Sequence, residues 1–403
     1  MSAHAETTPV GGQIITRPFI ILAGIFGLAM LAVAWRFIFG IGSISALSDA
    51  YPWGAWKPFS VIVLTAIASG GYAMAVLVYV LNRGQYHHLA RTALLTSALG
   101  YTTGVMTLGI DIGRPWNFFR LAAVWEWNLH SVLLEVTVCI TTYILFMWLE
   151  LSPPFLEQWK SSSNLRLRQL SRTWLPRIER AFPWIVAMAV VLPTMHQSSL
   201  GALFMLAGPR VHPLWQTAMI PMLFLLSCYF LGFGAVTMTS LLSSAVWKRP
   251  FETRMLSQVM KVGGWVGLAF VALRLTDVAW RGQTGLLVLG DMFTWLFWAE
   301  VLLLGVPSAL LVISGPIVDS GRLFRLAGVV LAGGGLYRLN TSLIAFMPGS
   351  QFGYFPSGLE MLVSAGFVAL AILGYLVIVK RFPILPAATP VVGPTLRSGG
   401  IRS

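Results

Sequence analysis

The chain has 403 residues, of which 57% are hydrophobic and 10% charged, and its formal net charge is +13. A soluble domain carries roughly a quarter of its residues as Asp, Glu, Lys and Arg, so this composition excludes a water-soluble protein. It also excludes a disordered chain, because such chains are poor in apolar residues. We therefore expect an integral membrane protein that has the lipid bilayer as its main solvent.

Ten apolar stretches are long enough to cross a bilayer, which takes about 20 residues per helix. In chain order they are 18–39, 58–81, 89–108, 128–148, 181–203, 214–240, 259–279, 292–313, 323–346 and 359–379. They predict an all-α membrane protein with a polar tail, 1–17, a ten-helix transmembrane domain, 18–380, and a second tail, 381–403. The longest connection, 151–180, is polar and basic, and we expect it to be a loop.

The Lys and Arg residues predict the orientation, because they are enriched in cytoplasmic loops. With the N-terminus inside, 19 of the 27 fall on the inner side and 8 on the outer side. We therefore predict that both termini, including Arg397 and Arg402, are cytoplasmic. Since the basic residues are spread over several inner loops, they do not indicate a nucleic-acid partner.

Several ionisable residues lie within or next to the predicted spans, mostly toward the outer ends. They are Asp111, Arg114, Glu135, His196, Arg274, Asp277, Glu300 and Arg338. A charge inside the bilayer costs a few kcal/mol, so it normally faces the bundle interior or a water path. We expect Glu135 to lie roughly 10 Å below the outer end of its helix, and Glu300 at a similar depth. The chemistry is therefore predicted near the outer face.

The spacing of the acidic residues suggests an internal repeat. Glu135 follows Asp111 by 24 residues, and Glu300 follows Asp277 by 23. We infer two four-helix bundles, 58–207 (spans two to five) and 214–346 (spans six to nine), flanked by the first and last spans. The alternative for Glu135 and Glu300 is a structural ion pair with one of the arginines Arg114, Arg274, Arg281 or Arg338.

The cysteine and histidine counts limit the cofactors. Cys139 and Cys228 both lie in apolar runs, and an iron–sulfur cluster needs about four thiolates, so no cluster or other metal site is predicted. A transmembrane haem needs facing histidines, and only His130 and His196 could meet, near the outer face. A b-type cytochrome with one outer haem therefore stays open as an alternative function. A secondary transporter stays open as well, because ten helices with an internal repeat are also suitable for that function.

Seven motifs are distinctive: 51–56 (YPWGAW), 80–87 (VLNRGQYH), 93–101 (ALLTSALGY), 111–117 (DIGRPWN), 192–199 (LPTMHQSS), 211–216 (VHPLWQ) and 298–303 (WAEVLL). Together they resemble the NrfD/PsrC family, and most closely its ten-helix HybB-type branch. The DsrP-type subunit of sulfite-reductase-associated membrane complexes is also similar. One departure from the hydrogenase-type pattern is that Met238 and Thr239 stand where an acidic residue is expected near the inner end of the sixth helix.

The resemblance implies a multi-pass subunit of the bacterial inner membrane, without haem, that is quinone-reactive and is no complete enzyme by itself. Its substrate would be menaquinone or ubiquinone. Its partner would be a periplasmic iron–sulfur, ferredoxin-like subunit. Through that subunit it would serve a hydrogenase, a sulfur or molybdopterin enzyme, or a multihaem cytochrome, as in hydrogenase or DsrMKJOP-type complexes.

Carried over to this sequence, the resemblance and the polar pattern together assign three groups of residues. The predicted quinone-binding residues are Tyr101, Asp111, Arg114, Asn128 and His196, with Asp111 expected to pair with Arg114. The predicted proton-transfer residues are Glu135, Thr142 and Glu300. Arg274, Asp277 and Arg338 are predicted to form structural ion pairs.

Overall fold

The computed structural model describes residues 7–349 and 351–387, so 1–6 of the first predicted tail and 388–403 of the second, with Arg397 and Arg402, lie outside the described residues. The main helices are α1 Arg17–Phe39, α2 Pro58–Val80, α3 His87–Asp111, α4 Val132–Glu150, α5 Ser152–Trp159, α6 Leu165–Leu206, α7 Ile220–Trp247, α8 Thr253–Trp280, α9 Met292–Ile313, α10 Ser320–Leu339 and α11 Gly358–Arg381. Within the described ranges there is no strand, only two isolated bridges. The predicted all-α fold is confirmed.

Nine apolar helical segments in the described part of the chain are long enough to cross a membrane. The predicted span that is not among these nine is 323–346, which corresponds to α10 and continues as a π-helical turn, Asn340–Ile344. It is less apolar than the others because it contains Arg325, Arg338 and Asn340. Arg338 and Asn340 are fully buried, so these two polar side chains face protein and not lipid.

Capping side chains fix the residues at which two helices, α4 and α9, begin at the outer side. Ser131 accepts from the backbone N–H of Leu134 at 3.3 Å, which begins α4, and Asp291 accepts from Thr294 at 2.7 Å, which begins α9. Such caps satisfy backbone donors that have no partner inside the helix. The cap at Ser131 places the start of α4 later than the sequence pattern predicted.

α2 departs from regular α-helix along its length. It has π-helical turns at both ends, 58–63 and 76–80, and a break at Ala68 and Ser69. α3 packs close to it through two glycines. A Cβ on Gly100 would lie 2.6 Å from the Cβ of Ala68, and one on Gly104 would lie 2.8 Å from the carbonyl oxygen of Ser60. The two backbones are therefore in direct contact.

The helices pack as two groups and a pair. In the first bundle, α2, α3, α4 and α6 each contact two of the others. In the second bundle, α7 and α9 each contact both α8 and α10, and α8 also contacts α10. α7 lies against α2, α3 and α6, and α10 lies against α2. α1 packs on α11, which contacts α3. The largest buried apolar cluster extends across both bundles.

The expectation of a loop at 151–180 is wrong, because α5 and the first part of α6 occupy it. The two helices pack together, and the Ser171 hydroxyl donates to the Leu156 carbonyl at 2.7 Å. With 42 residues, α6 is about 63 Å long at 1.5 Å per residue. This is twice the hydrocarbon thickness, so its N-terminal half extends beyond the bilayer, on the inner side in the predicted orientation.

Candidate functional site

A cavity of about 530 Å³ lies between α2, α3, α4 and α6, in the outer half of the first bundle. Its walls are mostly apolar, and Lys57, Thr137 and Thr141 are the few hydrophilic lining residues. Met106 of α3 and Leu133 of α4 line the cavity and are also exposed on the protein surface. The cavity is therefore accessible from the lipid side between these two helices.

Tyr101 and His196 lie beside the inner end of this cavity. Val105 and Leu200 line it, and Tyr101 and His196 are one helical turn further in on the same helix faces. The two rings are 5.9 Å apart between centroids. The Gln197 side-chain amide donates to the Tyr101 hydroxyl at 3.0 Å. Two of the predicted quinone-binding residues are thus brought together.

Several polar atoms beside the inner end of the cavity lack a hydrogen-bond partner among the described residues. His196 is fully buried, and neither ring nitrogen has a hydrogen-bond partner within residues 7–349 and 351–387. The side-chain oxygen of Gln197 is also unpaired there. Since buried polar groups are almost always hydrogen-bonded, these atoms indicate a position for a polar ligand group or water. A neutral imidazole offers one donor and one acceptor.

Asp111 lies at the outer end of α3, with its side chain buried. Its carboxylate accepts from the Trp56 indole N–H at 3.0 Å and forms an ion pair with Lys57, which lines the cavity. Arg36 donates to the carbonyl of Ile112 at 2.7 Å. The prediction of an Asp111–Arg114 pair is wrong: the backbone turns to an extended conformation at Ile112, and the Arg114 side chain is exposed.

Glu135 is shallower than the sequence pattern predicted. It lies in the first turn of α4 and is exposed at the protein surface, because the helix begins only at Val132. Its carboxylate accepts from the Ser199 hydroxyl of α6 at 2.7 Å. Ser199 precedes Leu200, a cavity-lining residue. Glu135 is therefore next to the cavity but at the outer end of the bundle.

Asn128 and Thr142 do not line the cavity. Asn128 is exposed in the turn before α4, where its side-chain oxygen accepts from the His130 backbone at 3.1 Å. Thr142 is half-buried on α4, and the adjacent Thr141 lines the cavity instead. The structure thus gives Asn128 a local role in the turn and leaves Thr142 beside the site.

Glu300 occupies the interior of the second bundle and is fully buried. Its carboxylate accepts from Arg274 at 2.8 Å, from the Trp215 indole N–H at 3.0 Å and from the Asn340 amide at 2.9 Å. Arg274 also donates to the carbonyl of Leu214 at 2.7 Å. Because this buried carboxylate bonds to one counter-charge and to two further donors, the geometry favours a structural ion pair over a proton carrier.

Of the other residues predicted to form ion pairs, Asp277 forms one and Arg338 does not. Asp277 pairs with Arg281 at 2.8 Å and accepts from Thr217 at 2.6 Å. Arg338 makes no ion pair within the described residues, so that prediction is wrong. Its guanidinium instead donates to the carbonyls of Ile62 and Phe224 at 3.0 and 2.6 Å and to the Ser227 hydroxyl at 3.0 Å. These bonds join α10 to α2 and α7 behind the cavity wall that contains Ile62.

A sequence profile of the family described as polysulphide reductase, NrfD, matches residues 43–341. The chain belongs to the NrfD family. It is 39% identical over 386 residues to the probable Ni/Fe-hydrogenase 2 b-type cytochrome subunit of Escherichia coli (strain K12), covering 94% of this chain and 95% of that one. This confirms the resemblance to the NrfD family and to its HybB-type branch.

Two more distant relatives match half or more of the chain. The integral membrane subunit of menaquinone reductase from Nitratidesulfovibrio vulgaris is 25% identical over 388 residues, or 90% of each chain. A selenate reductase subunit of Mesobacillus selenatarsenatis is 22% identical over 237 residues, or 53% of each chain. All three relatives are named as subunits. Family and helices together show a multi-pass integral membrane protein.

The name of the Escherichia coli relative raises the question of a b-type haem in this NrfD-family chain. Two axial histidines would have to face each other. His196 is ten residues, about 15 Å, below the outer end of α6, whereas His130 is exposed in the turn before α4. No histidine lines the 530 Å³ cavity. These residues do not fit a haem with two histidine ligands in the first bundle.

Three residues of the site were missed in the sequence. Lys57 and Trp56 bind Asp111, and Gln197 binds Tyr101. Trp56 and Gln197 both stand inside the family-like motifs at 51–56 and 192–199, which was the available signal. Lys57 directly follows the first of these motifs, and its pairing with Asp111 depends on how α2 packs against α3.

Proposed function

We propose that this chain is the haem-free membrane subunit of a respiratory oxidoreductase complex. It exchanges electrons between the membrane quinone pool and an iron–sulfur, ferredoxin-like partner on the periplasmic side. The proposal rests on the lipid-accessible cavity of about 530 Å³. Its inner end adjoins His196, whose ring has no hydrogen-bond partner among the residues that the structure describes. It is supported by relatives named as subunits of menaquinone reductase and of Ni/Fe-hydrogenase 2.

A quinone needs an apolar slot and donors for its carbonyl oxygens, and the cavity offers both. The ring would lie among Val105, Ile140 and Leu200, and the isoprenoid tail would leave past Met106 and Leu133. The buried imidazole of His196 can donate to a quinone carbonyl or accept from a quinol hydroxyl. Tyr101 is held behind it by Gln197.

The outer loop between α3 and α4 is the proposed docking side for the electron-transfer partner. Pro115 and Phe118 of this loop line the cavity, so the loop lies beside the proposed quinone position. Trp116, Phe119 and Trp125 of the same loop are 64%, 70% and 84% exposed. Large exposed aromatic side chains are enriched at protein interfaces. No cysteine cluster supplies electrons from within the described residues.

The test is quinone-linked turnover of the purified complex. We expect His196→Ala to abolish turnover with a quinone analogue, because the cavity loses its buried donor. The partner enzyme should keep its activity with a soluble dye. Ser198→Ala is the matched control, since that hydroxyl bonds only to its own helix, at Met195. Turnover equal to wild type in His196→Ala would refute this site, and a haem absorption band in the dithionite-reduced complex that belongs to this chain would refute the haem-free assignment.

A further inference from the structure

A second, smaller cavity lies at the inner end of the first bundle. Its volume is about 120 Å³, and it lies between the inner ends of α2, α3 and α4 and the part of α6 near Phe182. The ionisable residues that line it are Tyr79, His87, Arg91 and Glu150. Arg91, with a side chain 32% exposed, is bonded outward to Glu157 at 3.6 Å. The cavity is therefore at the inner surface, opposite the 530 Å³ cavity.

Glu150, the last residue of α4, is the unusual member of this group. It is half-buried and lines the cavity, but it makes no hydrogen bond or ion pair with the residues that the structure describes. Arg91, the arginine that lines the same cavity, is paired with Glu157 instead. An acidic side chain that lies within a membrane bundle and forms no structural ion pair is a candidate for proton transfer.

A column of hydroxyl groups lies between this cavity and the proposed quinone site. Tyr143 is two turns outward from Glu150 on α4, and its ring packs edge-on against Tyr101 at 4.9 Å. The Tyr101 hydroxyl is bonded to Gln197 and shares a 3.4 Å hydrogen bond with Ser69. Tyr143 and Tyr101 are almost fully buried. The column ends at His196.

A parallel column follows α2. Tyr72 is two turns outward from Tyr79, and its hydroxyl shares hydrogen bonds with Thr194, at 2.6 Å, and with Tyr229. Thr194 is two residues from His196 on α6. The first bundle thus has hydroxyl groups at successive depths on two helices. Each two-turn gap is about 10 Å and requires bridging water.

We propose that Glu150 is the inlet through which protons from the inner, cytoplasmic side reach the quinone cavity. The inference rests on the proposed function and on the predicted orientation. Reduction of one quinone to quinol takes two electrons from the iron–sulfur partner and two protons. The protons pass from Glu150 by way of Tyr143, Tyr101 and bridging water, and His196 donates at the quinone oxygen. Oxidation of quinol reverses each step.

This arrangement has a consequence for the membrane potential. Electrons enter from the outer face, at the loop beside Phe118, whereas protons enter from the inner face at Glu150. Each quinone reduced therefore moves charge across the bilayer. A site that took its protons from the outer face, near Glu135, would move none.

The test uses inside-out membrane vesicles that contain the complete complex, so that the cytoplasmic face meets the medium. Reduced benzyl viologen supplies electrons without protons, a menaquinone analogue accepts them, and a pH dye reports proton uptake from the medium. We expect wild type to take up two protons from the medium per quinone reduced. In Glu150→Gln, turnover should fall roughly tenfold or more and lose its dependence on the pH of the medium. Glu150→Asp should retain most of the activity.

Two further variants distinguish an error in the proton inlet from an error in the proposed quinone site. Glu179→Gln removes an exposed carboxylate on the inner part of α6 and should behave as wild type. His196→Ala tests the quinone site itself. If His196→Ala abolishes turnover while Glu150→Gln matches wild type in rate and proton uptake, the inlet is refuted and the proposed function stands. If wild type takes its protons from the vesicle lumen, the inlet is also refuted. If neither variant affects turnover, the quinone site is refuted as well.

Discussion

Replacement of Glu300 by Gln distinguishes a structural ion pair from a proton carrier. The amide keeps the shape of the side chain, but its NH₂ group must face either Arg274 or Trp215, both of which donate to Glu300 now. Arg274, fully buried, also loses its counter-charge. Removal of one partner of a buried pair costs roughly 3–5 kcal/mol, and we expect the free energy of unfolding to fall by that amount. Denaturant titration in mixed micelles, followed by tryptophan fluorescence, measures the change.

Two other variants are compared with Glu300→Gln to show that a loss of stability comes from the unpaired buried charge. Glu126→Gln removes an exposed carboxylate from an outer loop, and we expect a change within about 0.5 kcal/mol. Arg274→Met combined with Glu300→Met removes both charges and should recover part of the loss, because no buried charge is left unpaired. A Glu300→Gln protein as stable as wild type but without quinone turnover would refute the structural role and identify Glu300 as a proton carrier.

Three further predictions concern the cavity and the outer face. Asp111→Asn removes the counter-charge of Lys57 at the cavity wall and should lower quinone turnover several-fold without loss of assembly, whereas equal turnover would exclude a role for the pair. Thr137→Trp places a bulky side chain in the cavity and should raise KM for a quinone analogue about tenfold, or ~1.4 kcal/mol, while Thr276→Trp on the exposed side of α8 should not. Burial lowers the pKa of His212 below its usual 6.5, so the unfolded chain binds the extra proton and the stability that this group confers above pH 6.5 is lost as the pH falls. We therefore expect the Tm of wild type to drop more between about pH 7.5 and 5.5 than that of His212→Gln, and equal drops would contradict this.

The sequence predicted more about the helices than about the contacts of their polar side chains. Hydropathy located the nine apolar helices of the described residues that are long enough to cross a membrane. It also located α10, although Arg338 and Asn340 reduce the apolar character of that segment. It misplaced the start of α4 because the Ser131 cap is a local feature inside an apolar run. As a result Glu135 was expected too deep in the bundle. Periodicity also could not show that 151–180 forms two packed helices.

Tyr101 and His196 were predicted from motifs in the sequence, whereas contacts that depend on helix packing were not. Tyr101 and His196 stand in motifs and do lie together beside the cavity. The partner of Asp111, in contrast, was wrongly predicted, since Lys57, which directly precedes α2, forms the ion pair. No pattern in the sequence indicates a function for Glu150, because its position at a helix end is typical of an ordinary interfacial residue.

By itself, the amino-acid sequence determines the solvent, the helical class, the family and the helix faces that carry polar residues. These properties depend on composition and on spacing along one segment, which the lipid environment constrains directly. Only the tertiary structure decides which polar groups are satisfied and where space is left. Arg338 bonds to Ile62, 276 positions away, and the cavity exists because four separate helices leave room between them. Contacts of this kind depend on how helices distant in sequence pack, and no pattern within one helix specifies that.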